Sequence, residues 1–182
     1  MVMRKAVFLD RDGTIIDNQG DLGDPGGVTI IPGAKEAITS LADAGWLIIV
    51  VTNQAGVARG VFTEDDIKKV HEHIDTLVGP IERYYYCCYH PDGVIQEWAE
   101  VHPCRKPAPG MLLQAIEDFD IDPLASWMIG DTARDIQAGL ATGCKTIWLT
   151  DPGRVTEEIT PTLFAPNLGE ASLFVLAEEK VP

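Results

Sequence analysis

The chain has 182 residues, 46% of them hydrophobic and 7% aromatic, which suits one soluble domain (1–182) around a single sizeable core. Its 28 acidic and 14 basic residues leave a formal charge of −14, which argues against nucleic-acid backbones and anionic membranes as partners. No apolar run approaches the roughly 18 residues of a membrane span, and Met1–Lys5 leads straight into a short strand with no leader-like region, so a cytoplasmic monomer is expected.

In chain order, Ala6–Leu9 reads as a short buried strand that ends at Asp10. A helix is expected over Gly33–Ala44 and a strand over Leu47–Val51. Thr63-Glu64-Asp65-Asp66 has the form of an N-cap followed by an acidic first turn, opening a helix that runs to Val78. Tyr84–Cys87 is strand-like, Pro109–Phe119 helical, Trp127–Ile129 a strand, Thr132–Ala141 a helix and Thr146–Leu149 a strand. Leu163–Ala165, with Pro161 and Pro166 beside it, suits a sheet edge, and Gly169–Glu179 closes the chain as a helix. Short strands alternating with helices predict an α/β fold with a mostly parallel sheet. Ligands of such sheets bind beyond the carboxyl ends of the strands, and Asp10, Thr52, the Cys87 region and Asp131 all directly follow one.

Four segments carry candidate chemistry. In Phe8-Leu9-Asp10-Arg11-Asp12-Gly13-Thr14, two carboxylates converge if the chain turns sharply, which Gly13 permits. Asp10 can attack phosphorus while Asp12 protonates the leaving oxygen and later deprotonates water. An anion attacking an anion needs a hard cation, so Mg²⁺ is expected. Thr52, Asn53 and Gln54, at the end of the second strand, can hold a phosphate by hydrogen bonds. In Cys104-Arg105-Lys106-Pro107, Lys106 offers a fixed charge for the phosphoryl group and Arg105 a fork for bidentate recognition, both stiffened by Pro107 and Pro109. Asp131, between a strand and a helix, is placed to complete a metal site, with Asp135 one turn further on. Each segment alone also fits an ordinary cap, turn or solvated charge.

Together and in this order, these segments resemble the four motifs of the haloacid dehalogenase superfamily of phosphotransferases. That resemblance implies a Rossmann-like three-layer α/β/α sandwich. It makes Asp10 the nucleophile and Asp12 the acid/base, gives Thr52 and Lys106 to phosphate, and sets Asp10, the Asp12 carbonyl and Asp131 around Mg²⁺. Leu9–Thr14, Val51–Gly60 and Cys104–Pro107 are similar more narrowly to the heptose bisphosphate phosphatases and their histidinol-phosphatase relatives. The spacing between the motifs leaves no room for a cap domain, and Asn18–Ile31, rich in Gly and Asp, is the expected substrate-facing loop. The implied partner is a small phosphorylated metabolite: a heptose bisphosphate or, in the alternative, histidinol phosphate or another phosphomonoester. A non-catalytic phosphate-binding module is the reading from another class.

The cysteines bear on a second metal. A disulfide framework is unexpected in a cytoplasmic chain, and three of the four cysteines fall within about 18 residues. The resembled families carry a zinc loop of the form Cys-x-His and then Cys-x-Cys. Here the corresponding residues are Cys87-Cys88-Tyr89-His90 and His102-Pro103-Cys104, so Tyr89 replaces a His and His102 a Cys. A tetrahedral Zn²⁺ on Cys87, His90, His102 and Cys104 is the expectation; Cys88 paired with His90, and a zinc-free loop held by packing, stay open. Thr132 also stands where those families carry Lys, leaving Arg134 as a nearby cation. His71 and His73 read as surface residues, and Cys144 as a buried small hydrophobe.

Overall fold

The computed structural model describes residues 3–18, 20–155 and 159–178. Six strands form one sheet: β1 (Ala6–Leu9), β2 (Leu47–Asn53), β3 (Arg83–Cys87), β4 (Trp127–Gly130), β5 (Lys145–Leu149) and β6 (Leu163–Ala165). Their spatial order is β3-β2-β1-β4-β5-β6, and every pairing is parallel. The helices are α1 (Ala34–Asp43), α2 (Glu64–Val78), α3 (Gly110–Phe119), α4 (Ala133–Thr142) and α5 (Leu168–Glu178). Glu179, the expected end of the last helix, lies outside the described residues.

Parity along the strands divides the core. Val7, Leu9, Ile48 and Val50 face one side, against Ile38 and Leu41 of α1, Val70 and Ile74 of α2, and Ala171 and Val175 of α5. Ala6, Phe8, Ile49 and Val51 face the other, against Met111, Leu112 and Ala115 of α3 and Ala138 of α4. Strands buried on both faces read as continuous apolar runs, as Leu47–Val51 does. The result is the expected three-layer sandwich, with a sheet that is parallel throughout rather than mostly so. β6 lies at the edge, where its flanking prolines remove no ladder donor from a central strand.

The chain runs outward from β1 through β2 to β3, then returns to the other side of β1 with β4. The carboxyl ends of β1 and β4 therefore flank the point where the winding reverses, the position at which such sheets open a crevice. The Asp10 amide donates to Ile129 O at 3.0 Å, fixing the two tips together. Among the described residues each of the five helices belongs to the sandwich, and loops stand over the strand tips.

Two helix starts are built by reciprocal side-chain bonds, which satisfy amides a helix leaves unpaired. The Asp66 carboxylate accepts the Thr63 amide at 3.0 Å, and the Asp66 amide donates back to Thr63 Oγ1 at 3.3 Å. Asp135 Oδ2 accepts the Thr132 amide at 2.9 Å and its hydroxyl at 2.7 Å.

Candidate active site

A cavity of about 410 Å³ opens over the tips of β1, β2 and β4. Asp10, Asp12, Thr52, Asn53, Gln54, Arg105, Lys106 and Asp131 all line it, so the residues singled out for phosphate and Mg²⁺ share one pocket. Gly13 takes φ +75°, and a Cβ there would collide with the Asp131 carboxylate. The turn that carries Asp12 thus depends on a residue without a side chain, in both conformation and space.

Lys106 is 2% exposed, a placement a lysine tolerates only with close anionic partners. Its Nζ lies 2.9 Å from Asp10 Oδ1 and 2.7 Å from Asp135 Oδ1, and donates to Val51 O at 2.6 Å. Burial opposes its charge, yet Asp10 and Asp135 hold its pKa above the ordinary lysine value. The Asn53 side chain fixes the lysine's backbone from both sides: Nδ2 donates to Lys106 O and Oδ1 accepts the Lys106 amide, each at 3.0 Å. The side chain named for phosphate at Asn53 therefore clasps the loop that presents the lysine.

Ligand oxygens of Asp10, Asp131 and Asp135 lie within 4.8 Å of one another. Burial, with Asp135 next, pushes the Asp10 pKa up to about 7, although Lys106 acts the other way. Burial and Asp135 likewise push Asp131 up to about 6. Asp131 Oδ1 is buried without a hydrogen-bond partner. Carboxylates gathered this tightly, one with an oxygen that nothing satisfies, fit a hard divalent cation with oxygen ligands.

The Asp12 carboxylate turns away from that group. Oδ1 accepts from Arg11 Nη2 at 3.0 Å and from Asn18 Nδ2 at 2.8 Å, while Oδ2 accepts from Gln54 Nε2 at 2.8 Å and Arg11 Nη2 at 3.1 Å. Gln54 also donates to Thr52 Oγ1 at 2.9 Å. Gln54 is thus engaged with Asp12 and Arg11 rather than pointing freely at a ligand. Arg11, which the sequence reading passed over, is completely buried beneath the site. His71, expected at the surface, is buried against it. The signal was in the helix pattern, since position 71 falls on the same stripe as Ile67, Val70, Ile74 and Val78.

The structure brings together three members of the expected zinc set and leaves the fourth apart. Cys87, His102 and Cys104 converge, with His102 Nδ1 2.9 Å from Cys104 Sγ. Cys87 and Cys104 face each other as a disulfide pair, their Cα atoms 5.6 Å apart. His90 does not join them: its Nδ1 accepts the Asp92 amide at 3.1 Å, and the residue lines the cavity instead. Tyr89 stacks on His102 with centroids 3.9 Å apart, so an aromatic face lies beside the cluster. Cys88 packs in a different apolar group with Val57 and Ile67. Among the described residues three of the four expected donors are thus gathered, and His90 stands apart from them.

A parallel sheet of this order, with carboxylates after its first and fourth strands facing one buried lysine, defines the haloacid dehalogenase-like hydrolases. A HAD-hydrolase-like family model matches residues 103–171. The D-glycero-β-D-manno-heptose-1,7-bisphosphate 7-phosphatase of Escherichia coli K12 is 40% identical over 177 residues, covering 95% of this chain and 90% of its own. The enzyme of that name from Yersinia pestis is 40% identical over 158 residues, 84% of either chain. The D,D-heptose 1,7-bisphosphate phosphatase of B. bronchiseptica, solved with magnesium and phosphate, superposes with a TM-score of 0.83 at 29% identity, over 96% of this chain and 99% of that one. The chain belongs to the heptose bisphosphate phosphatase family of haloacid dehalogenase-like hydrolases.

Proposed function

We propose that this protein is a magnesium-dependent phosphatase that converts D-glycero-β-D-manno-heptose 1,7-bisphosphate to the 1-monophosphate through an aspartyl-phosphate on Asp10. The observation that carries the chemistry is the convergence of Asp10, Asp131 and Asp135 in one cavity, with Lys106 paired to Asp10 and Asp135. Asp10 attacks phosphorus, forming the acyl phosphate while the bond to the sugar oxygen breaks. Asp12 delivers a proton to that oxygen. It then takes one from the water that attacks the acyl phosphate and frees Asp10. Lys106 sets a fixed positive charge beside the nucleophile, where the transferring oxygens gather charge. Mg²⁺, held by Asp10, Asp131 and the Asp12 carbonyl, would neutralise phosphoryl charge as a Lewis acid.

The cavity mouth supports a substrate with a second phosphate. Arg59, Arg105, Arg134 and His90 all line it, in a chain whose net charge is −14. Arg59 is held by Asp21, and Arg105 donates to Tyr89 O at 3.2 Å. Burial, then Arg134 and Arg59, pushes the Arg105 pKa down, as expected of a half-buried cation with other cations beside it. Arg134 stands two residues beyond Thr132 and keeps a cation at that side of the cavity.

A panel of phosphomonoesters with added Mg²⁺ tests the reading. The heptose 1,7-bisphosphate should give the highest kcat/KM, with phosphate released from C7. A preference for histidinol phosphate would reassign the substrate, and failure to trap an acid-stable phosphoenzyme under turnover would remove the covalent step.

A further inference from the structure

The buried partners of Arg11 extend past the site already described. A guanidinium with no exposure must satisfy each of its edges, because it only donates and cannot shed its charge. Nε and Nη2 are directed at Asp12, and Nη2 also at Gln54 Oε1 at 2.9 Å. The remaining edge, Nη1, meets His71 Nε2 at 3.3 Å. Since Arg11 can only donate, Nε2 accepts and the imidazole proton sits on Nδ1. The ring is clamped in place by β3: it stacks on Tyr84 with centroids 4.1 Å apart at 13° and meets Tyr86 edge-on at 5.8 Å. Tyr84 is fixed in turn, its hydroxyl donating to Asp75 at 2.7 Å. Burial and the Arg11 charge press the imidazole pKa down to about 3, so the acceptor form is the one present at neutral pH.

We infer that His71 is a positioning residue for Asp12, holding the Arg11 plane so that the carboxylate faces the leaving oxygen. The geometry makes α2 and β3 the back wall of the acid/base rather than scaffold alone. Without an acceptor at Nη1 the guanidinium rotates toward another, and the carboxylate bonded along its other edge turns with it. The inference rests on Asp12 being the acid/base, as proposed above.

Leaving groups separate a positioning role from a structural one. A sugar alkoxide needs a proton to depart, whereas nitrophenolate leaves without one, and kcat/KM reports this first transfer. His71→Phe keeps the ring stack and removes the acceptor. It should lower kcat/KM for the heptose bisphosphate by roughly tenfold, part of the about 10²–10⁴-fold a placed acid supplies, and change that for p-nitrophenyl phosphate by less than about twofold. His71→Gln, which offers Oε1 near the position of Nε2, should recover most of the loss. Should His71→Phe fail to fold, His71→Leu removes the same acceptor in a smaller volume. Equal losses on both substrates, or no loss on either, would overturn the inference. Asp12→Asn is the control. If it shows the selective loss and the His71 variants do not, the His71 role alone fails; if Asp12→Asn is itself unselective, the acid/base reading fails first.

Discussion

Asp10 is buried, and burial with the carboxylates around it outweighs the help of Lys106. Its folded pKa, raised to about 7 from 3.8, means that the folded chain keeps a proton that the unfolded chain releases. Between those values the folded state binds more protons, so this group's contribution to stability is full in acid and declines as pH rises toward 7. In chelator at pH 8, Asp10→Asn should therefore be more stable than the native protein by up to about 4 kcal/mol, with the gap closing only as pH falls toward 4. The same substitution should abolish turnover, because an amide matches the carboxylate in shape but is no nucleophile. A variant that turns over normally would remove the nucleophile assignment, and a melting gap independent of pH would remove the account of the buried charge. At this scale the sequence was legible where a residue carries its own chemistry: Asp10, Asp12, Lys106 and Asp131 could each be named. It was illegible where the role depends on a partner far along the chain. Arg11 and His71 are 60 positions apart, and Asn53 reaches Lys106 across 53. No local pattern records such pairings.

At the scale of elements, apolar runs and caps placed each described strand and α-helix to within a residue or two, and missed the short 3-10 turns. β2 outlasts its apolar run because its ladder with β3 continues through Asn53 opposite Cys87, where backbone pairing does not require apolar side chains. The cysteine segment was less legible, since ligand spacing says which residues are close in sequence but not where each ring points. Gly93 closes a turn onto His90 O at 2.9 Å while the Asp92 amide caps the imidazole, and together these hold His90 away from the sulfurs. Thiol titration of the unfolded, unreduced chain should count two thiols, Cys88 and Cys144, with less than stoichiometric zinc by elemental analysis. Four thiols with one zinc per chain would restore a four-ligand site.

Across the whole molecule, acidic residues outnumber basic ones two to one, yet three arginines meet at one cavity. A local positive field inside a negative envelope favours a small polyanion and repels a large one. Arg134→Ala should lower kcat/KM for the bisphosphate by roughly tenfold, the worth of a charge-assisted hydrogen bond, and spare a sugar monophosphate lacking the second group. Parallel losses on the two would take Arg134 out of second-phosphate recognition. The fold class followed from alternating elements and the crevice from the strand-tip rule. The cation cluster did not, because Arg59, Arg105 and Arg134 lie in separate segments that only the folded chain assembles.

Asp135 uses its two oxygens for unrelated tasks, one opening α4 through Thr132 and the other gripping Lys106. A replacement that shortens the side chain forfeits both at once, while one that keeps its shape but not its charge forfeits only the grip. Drift at this position is thus closed off twice over, by assembly and by reactivity. An engineer recasting the pocket would have to leave it alone or rebuild a helix start along with it.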